Sequence, residues 1–171
     1  MIYNLFAPGS YRANIYNTAD GIAVSGTVAT VTPATRSNPV AMASHATRAA
    51  AINPQPGWFF SCAMDAEIEK DRVHDFTATM CQQVRQLTLV IEPTGESDRI
   101  TAIEAALSGA AATLDIGNNT HGTPSSVALA FSKITEGADA GKWKATVRLL
   151  GIAGAEQLLS GTIHLSGHDP V

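Results

Sequence analysis

In the later part of the chain, large apolar residues recur at every second position. Val127, Leu129 and Phe131 are separated by Ala128 and Ala130, and Ala145, Val147 and Leu149 are separated by Thr146 and Arg148. Residues two apart share a face on a strand but not on a helix, so this spacing commits the region to half-buried β-strands. Residues 100–116, ITAIEAALSGAAATLDI, carry a mixed signal. Their alanines favour a helix on propensity alone. The alternation of Ile103, Ala105 and Leu107, followed by Gly109, instead predicts a strand interrupted by a bulge or break. Nearer the N-terminus, residues 10–17 and 22–31 are β-prone, and the Asp20-Gly21 pair between them predicts a hairpin. The expected fold is all-β, with six or seven strands from residue 58 onward packed as an antiparallel sandwich.

Charge is sparse and unevenly spread. Of 171 residues, 15% are charged and 45% hydrophobic, with a formal net charge of −4. That balance excludes a disordered tail, a disulfide-stapled miniprotein and a binder of nucleic acid through a globally basic surface. Residues 1–57 hold only Arg12, Arg36, Arg48 and Asp20, so a boundary is expected near residue 57. It divides a partial N-terminal β unit with a Pro/Ala-rich connector, 1–57, from a C-terminal sandwich, 58–171. Within the connector, Pro33, Pro39, Pro54 and Pro56 leave room for one short helix, over about residues 40–51. No apolar run is long enough for a spanning helix, so no membrane insertion by this chain is expected.

Cys62 and Cys81 flank an expected hairpin turning at residues 69–73. Phe60, Cys62, Met64, Ala66 and Ile68 form one even-numbered apolar set, and Phe76, Ala78, Met80 and Val84 form another. A register that buries both, with Met64 opposite Met80, points Cys62 inward and Cys81 outward, which predicts no disulfide between them. The apolar parity changes by Leu87, Leu89 and Ile91, so a bulge or break is expected over residues 82–86.

No residue of the sequence carries a catalytic, cofactor-binding or metal-binding pattern. His164 and His168 are four apart but lie at a strand end and turn, not on a helix face. His121 falls in GNNTHGTPSS and is read as part of a hairpin turn; His45 and His74 complete the five histidines. The nucleophile elbow G-x-S-x-G is absent. Residues 137–143, GADAGKW, have the wrong spacing for a phosphate loop and Trp143 where Ser or Thr would hold magnesium. Asp65, Glu67, Glu69 and Asp71 read as a solvated strand face, Asn118-Asn119-Thr120 is formally a glycosylation sequon, and Trp58 and Trp143 read as core or rim aromatics.

The strings TMCQQVRQLTLVIEPTG, RITAIEAALSGAAATLDI, SSVALAFSKITEG, KWKATVRLLGIAG and QLLSGTIHL resemble the C-terminal domain of the fimbrillin-like proteins of Bacteroidia, the type V pilus subunits and their anchors. LFAPGSYRANIYNT resembles that family's Pro-Gly loop and following strand. The resemblance implies two tandem transthyretin-like β-sandwiches in a cell-surface or fimbrial lipoprotein of the outer membrane. Because the lipid-bearing Cys and first strands of that pattern are not matched, an N-terminally shortened first sandwich is expected. The implied role is non-enzymatic adhesion, with other pilus subunits or copies of the chain joined through strand edges. The alternative is a module binding a host protein or glycan through Trp143 or Tyr3. A hydrolase using His121 and Ser125 is a third reading, without an identifiable orienting group.

Overall fold

The computed structural model describes residues 6–32, 55–95 and 97–167. These form strands β1 (Gly9–Tyr16), β2 (Ile22–Ser25), β3 (Val28–Val31), β4 (Phe60–Ile68), β5 (Cys81–Gln82), β6 (Arg85–Ile91), β7 (Ile100–Asp115), β8 (Thr120–Ala130), β9 (Ser132–Lys133), β10 (Trp143–Leu149) and β11 (Leu159–Leu165). Every strand pair is antiparallel. Three sheets result, in the orders β1-β4-β5, β6-β10-β9 and β11-β7-β3-β2, with β8 on the other side of β7. The chain is an all-β protein of β-sandwich type, as the alternation predicts. The short helix expected over residues 40–51 lies outside the described residues.

β7 organises the molecule. Ile103, Ala105 and Leu107 point from it into one apolar cluster, together with Leu129, Phe131, Trp143, Ala145, Val147 and Leu149. Leu114, followed by Ile116 just past the strand, joins a second cluster with Ala29, Val31, Phe59, Val84 and Leu150. The inward positions are odd-numbered before Gly109 and even-numbered after it. A period-two strand can change parity only by gaining or losing a residue, and the ladder to β8 shifts register between Leu107 and Ala110. Gly109 has φ +76°, and a Cβ there would lie 2.8 Å from the Glu156 carbonyl oxygen, so glycine is the residue this bulge admits. Beyond it Ala110, Ala111 and Ala112 are all buried, and the chain after β10 runs antiparallel along the edge of β7, with Ile152 bridged to Ala110. There the Ala111 N–H donates to the Gly151 carbonyl and the Ala153 N–H to that of Gly109. Burial on both faces, not helix propensity, accounts for the alanines.

The N-terminal pairings differ from the expected hairpin. β1 pairs along its whole length with β4, from Gly9 opposite Ile68 to Tyr16 opposite Ser61. The hairpin is β2–β3, closed by Gly26-Thr27 with Gly26 at φ +60°. Asp20-Gly21 does reverse the chain, with Gly21 at φ +68°, but the strand before it is claimed by β4. β3 in turn pairs with the end of β7, so strands from before residue 57 are hydrogen-bonded to strands from after it on two sheets.

The expected hairpin after β4 is also shorter than its apolar pattern suggested. Only Phe60–Gln82 and Ser61–Cys81 pair, while Val73, Phe76 and Met80 are exposed on a long excursion. Glu69 to Phe76 is held locally. The Glu69 N–H donates to His74 Nε2 at 2.9 Å, Arg72 pairs with Glu69, and the His74 ring stacks on Phe76. At its start, β4 buries Ser61 and leaves Phe60 exposed, the reverse of the even-numbered reading. Cys81 lies opposite Ser61, so alternation puts Cys62 on the other face, and both cysteines are free thiols. The break expected over residues 82–86 falls at Gln83 and Val84, whose N–H groups both donate to the Phe59 carbonyl.

Candidate interaction surface

The sheet β1-β4-β5 has one polar and one apolar face. Ser10, Arg12 and Asn14 share the polar face with Glu67, Asp65 and Ala63. Ser10 Oγ donates to Glu67 at 2.7 Å, and Arg12 Nη1 to Asp65 at 2.7 Å. Arg12 Nη2 also donates to the Gly117 carbonyl at 2.8 Å, tying this sheet to the β7–β8 turn. At the far end Asn17 clamps the strand entry, its Nδ2 donating to the Trp58 carbonyl and its Oδ1 accepting from the Phe60 N–H.

The opposite face carries Tyr11, Ala13 and Ile15 from β1 and Phe60, Cys62, Met64, Ala66 and Ile68 from β4. None of these eight is fully buried, and Tyr11, Ile15 and Phe60 are each 37% exposed. Sheet faces of this composition ordinarily meet a second layer, and large exposed apolar patches mark interaction sites. Phe6 continues the patch, its ring 5.5 Å edge-on from that of Tyr11.

β1 is also an edge. The Asn17 N–H donates to the Phe60 carbonyl, so odd-numbered backbone groups of β1 face β4. The N–H and C=O groups of Ser10, Arg12, Asn14 and Tyr16 turn to the side on which no described strand lies. An apolar face beside an open edge offers what strand addition requires, backbone hydrogen bonds for affinity and alternate side-chain contacts for specificity.

The groups considered for chemistry are dispersed. His121 is on β8 opposite Leu114, one residue past the β7–β8 turn, not in a loop. Its ring packs against Gly151, where an added Cβ would lie 2.5 Å away, and its Nε2 is buried without a hydrogen-bond partner among the described residues. Ser125 lies four positions along the same strand, about 13 Å at strand rise, so the two cannot form a nucleophile–base pair. His164 on β11 sits 3.8 Å from Glu104, while His45 and His168 lie outside the described residues. Among the described residues no three His, Cys, Asp or Glu side chains gather to hold a metal ion.

The remaining motifs resolve into packing and turns. In GADAGKW, Gly137 and Gly141 have positive φ, and Lys142 pairs with Asp139 at 2.9 Å and Glu92 at 3.2 Å. The hydrogen bond to Asp139, then that to Glu92, raises the Lys142 pKa above its ordinary value. Asp65 and Glu67 face β1, and Asn118 caps the turn through Asp115 at 2.8 Å. Trp143, offered as a glycan platform, is only 5% exposed and belongs to the core. Tyr3 lies outside the described residues. Trp58 is 43% exposed and carries the Arg148 guanidinium 5.5 Å above its ring.

The fold thus defines a protein of antiparallel β-sandwich type, in which one layer is half-open among the described residues. No protein-family model and no curated protein matches the sequence. The chain is similar in structure to a candidate adhesin of Bacteroides ovatus, with a TM-score of 0.63 over 96% of this chain at 12% identity. It spans 63% of that adhesin's length. At this identity the likeness is one of fold.

Proposed function

We propose that the chain is a non-enzymatic cell-surface adhesion component that assembles through β-strand edges. The observation that carries this reading is the half-exposed apolar face of β1-β4-β5 beside the open edge of β1. The fold likeness to a candidate adhesin supports the adhesion class. The finer reading is a fimbrillin-like subunit with transthyretin-like sandwiches, placed at the outer membrane surface or in a fimbrium, whose partners are other subunits or copies of itself. That reading rests on the strings quoted above.

Sedimentation velocity tests the assembly. The wild-type chain is expected to self-associate as concentration rises, and Ile15→Lys, which puts a charge in the apolar face, is expected to suppress this. A wild type that stays monomeric throughout, and whose β1 amides gain no protection from hydrogen exchange when strand peptides are added, would overturn strand-edge assembly. Antibody labelling of intact producing cells checks the location.

A further inference from the structure

β10 has a second edge that, past β9, no described strand covers, and a side chain occupies it. On one side β10 pairs with β6 from Trp143 to Leu149; on the other, β9 covers only Trp143 and Lys144. The Ile134 N–H donates to the Lys142 carbonyl, so even-numbered backbone groups face the β9 side. Past the end of β9, Gln55 takes over the ladder. Its Nε2 donates to the Thr146 carbonyl at 2.9 Å, and its Oε1 accepts from the Arg148 N–H at 3.0 Å. One residue of a parallel strand opposite Val147 would make the same two bonds through its own N–H and C=O.

The inward side of this edge is apolar. Val31, Pro56, Ala110, Val127, Leu149 and Leu150 line a small cleft of about 20 Å³ beside it, together with Ser125 and Arg148. The outward side of the edge is cationic. Lys144 and Arg148 face Val90 and Gln86 across β6, and neither is ion-paired among the described residues. A second copy's β10 pairing antiparallel would set Lys144 against Arg148, like charge on like charge.

We propose that the β10 edge is a second strand-accepting site, plugged in this chain by Gln55. Its occupant is an extended segment of a partner chain with apolar residues facing the cleft and carboxylates facing Lys144 and Arg148. The inference rests on the strand-addition reading but places it at a different edge. Gly57, whose N–H donates to the Asp20 carbonyl at 2.7 Å, pins the segment that carries the plug.

The test uses the full chain, its Gln55→Ala variant and a capped seven-residue peptide alternating Val and Glu, with a Val–Lys counterpart. In Gln55→Ala the Arg148 amide should exchange about tenfold faster, the effect of losing two ordinary net hydrogen bonds. The Val–Glu peptide should restore its protection and bind the variant about tenfold tighter than wild type, with the Val–Lys peptide weaker than either. If Gln55→Ala folds poorly, Gln55→Ser serves, since its shorter side chain reaches neither the Thr146 carbonyl nor the Arg148 N–H. Equal peptide affinity with and without the plug overturns the proposal, as does an Arg148 amide that exchanges equally fast in both. Protection confined to β1 overturns this site while leaving assembly at β1 standing.

Discussion

Replacing Gly109 with Ala tests the bulge on which the two cores depend. At φ +76° an L side chain costs about 1–2 kcal/mol. The added Cβ meets the Glu156 carbonyl oxygen at 2.8 Å, a backbone atom that moves only with its loop, and overpacking of this kind costs about 1–3 kcal/mol. Together the loss is about 2–5 kcal/mol, or roughly 4–20 °C in Tm for a chain of this size. Urea denaturation monitored by circular dichroism measures it. Gly95→Ala is the control, because an added Cβ there meets nothing within 4 Å, and it should change stability by less than about 0.5 kcal/mol. Deleting Gly109 is more severe, since it turns the inward set of residues 110–116 outward and should leave no cooperative transition. A Gly109→Ala variant within about 0.5 kcal/mol of wild type, or a folded deletion variant, would refute the parity argument.

Three other outcomes are expected. Iodide should quench Trp58 emission and leave a blue-shifted component from Trp143, whereas Trp58→Phe should leave only the unquenched band. Arg12→Ala should cost more than Asp65→Ala in thermal denaturation. The exposed ion pair contributes at most about 1 kcal/mol, and Arg12 alone also bonds the Gly117 carbonyl, for about 0.5–1.5 kcal/mol more. Lys142, with its pKa raised above 10.5 in the folded chain, binds its proton more tightly folded than unfolded. Its contribution is therefore complete below pH 10.5 and lost as pH climbs through the raised value. The Tm difference between wild type and Lys142→Gln should accordingly shrink only in that alkaline range.

The features legible in the sequence were those set by local periodicity. Alternation at Val127, Leu129 and Phe131, the interruption of the strand at Gly109 and the break near Gln83 each follow from side chains meeting a core at every second position. Pairing between distant segments was not legible. Asp20-Gly21 signals a reversal correctly, but a turn residue does not choose the partner of the strand before it, and β4 satisfies the whole of β1. Burial of Ser61 in place of Phe60 escaped the apolar count because that count assumes the core lies on the greasier face. The open edge of β1 and the Gln55 plug are properties of sheet order, which one-dimensional patterns do not carry. In the sequence His121 looks like a turn residue because its neighbours Asn118, Asn119 and Gly122 dominate the local composition.

β7 gives side chains to both apolar clusters, and its neighbour Leu149 belongs to one while Leu150 belongs to the other. A chain built this way has no internal fuse. Tension applied at β3 or at β11 reaches the same strand, and neither cluster can come apart without removing a wall of the other. Under load it should therefore hold to a single rupture event rather than paying out length in two steps.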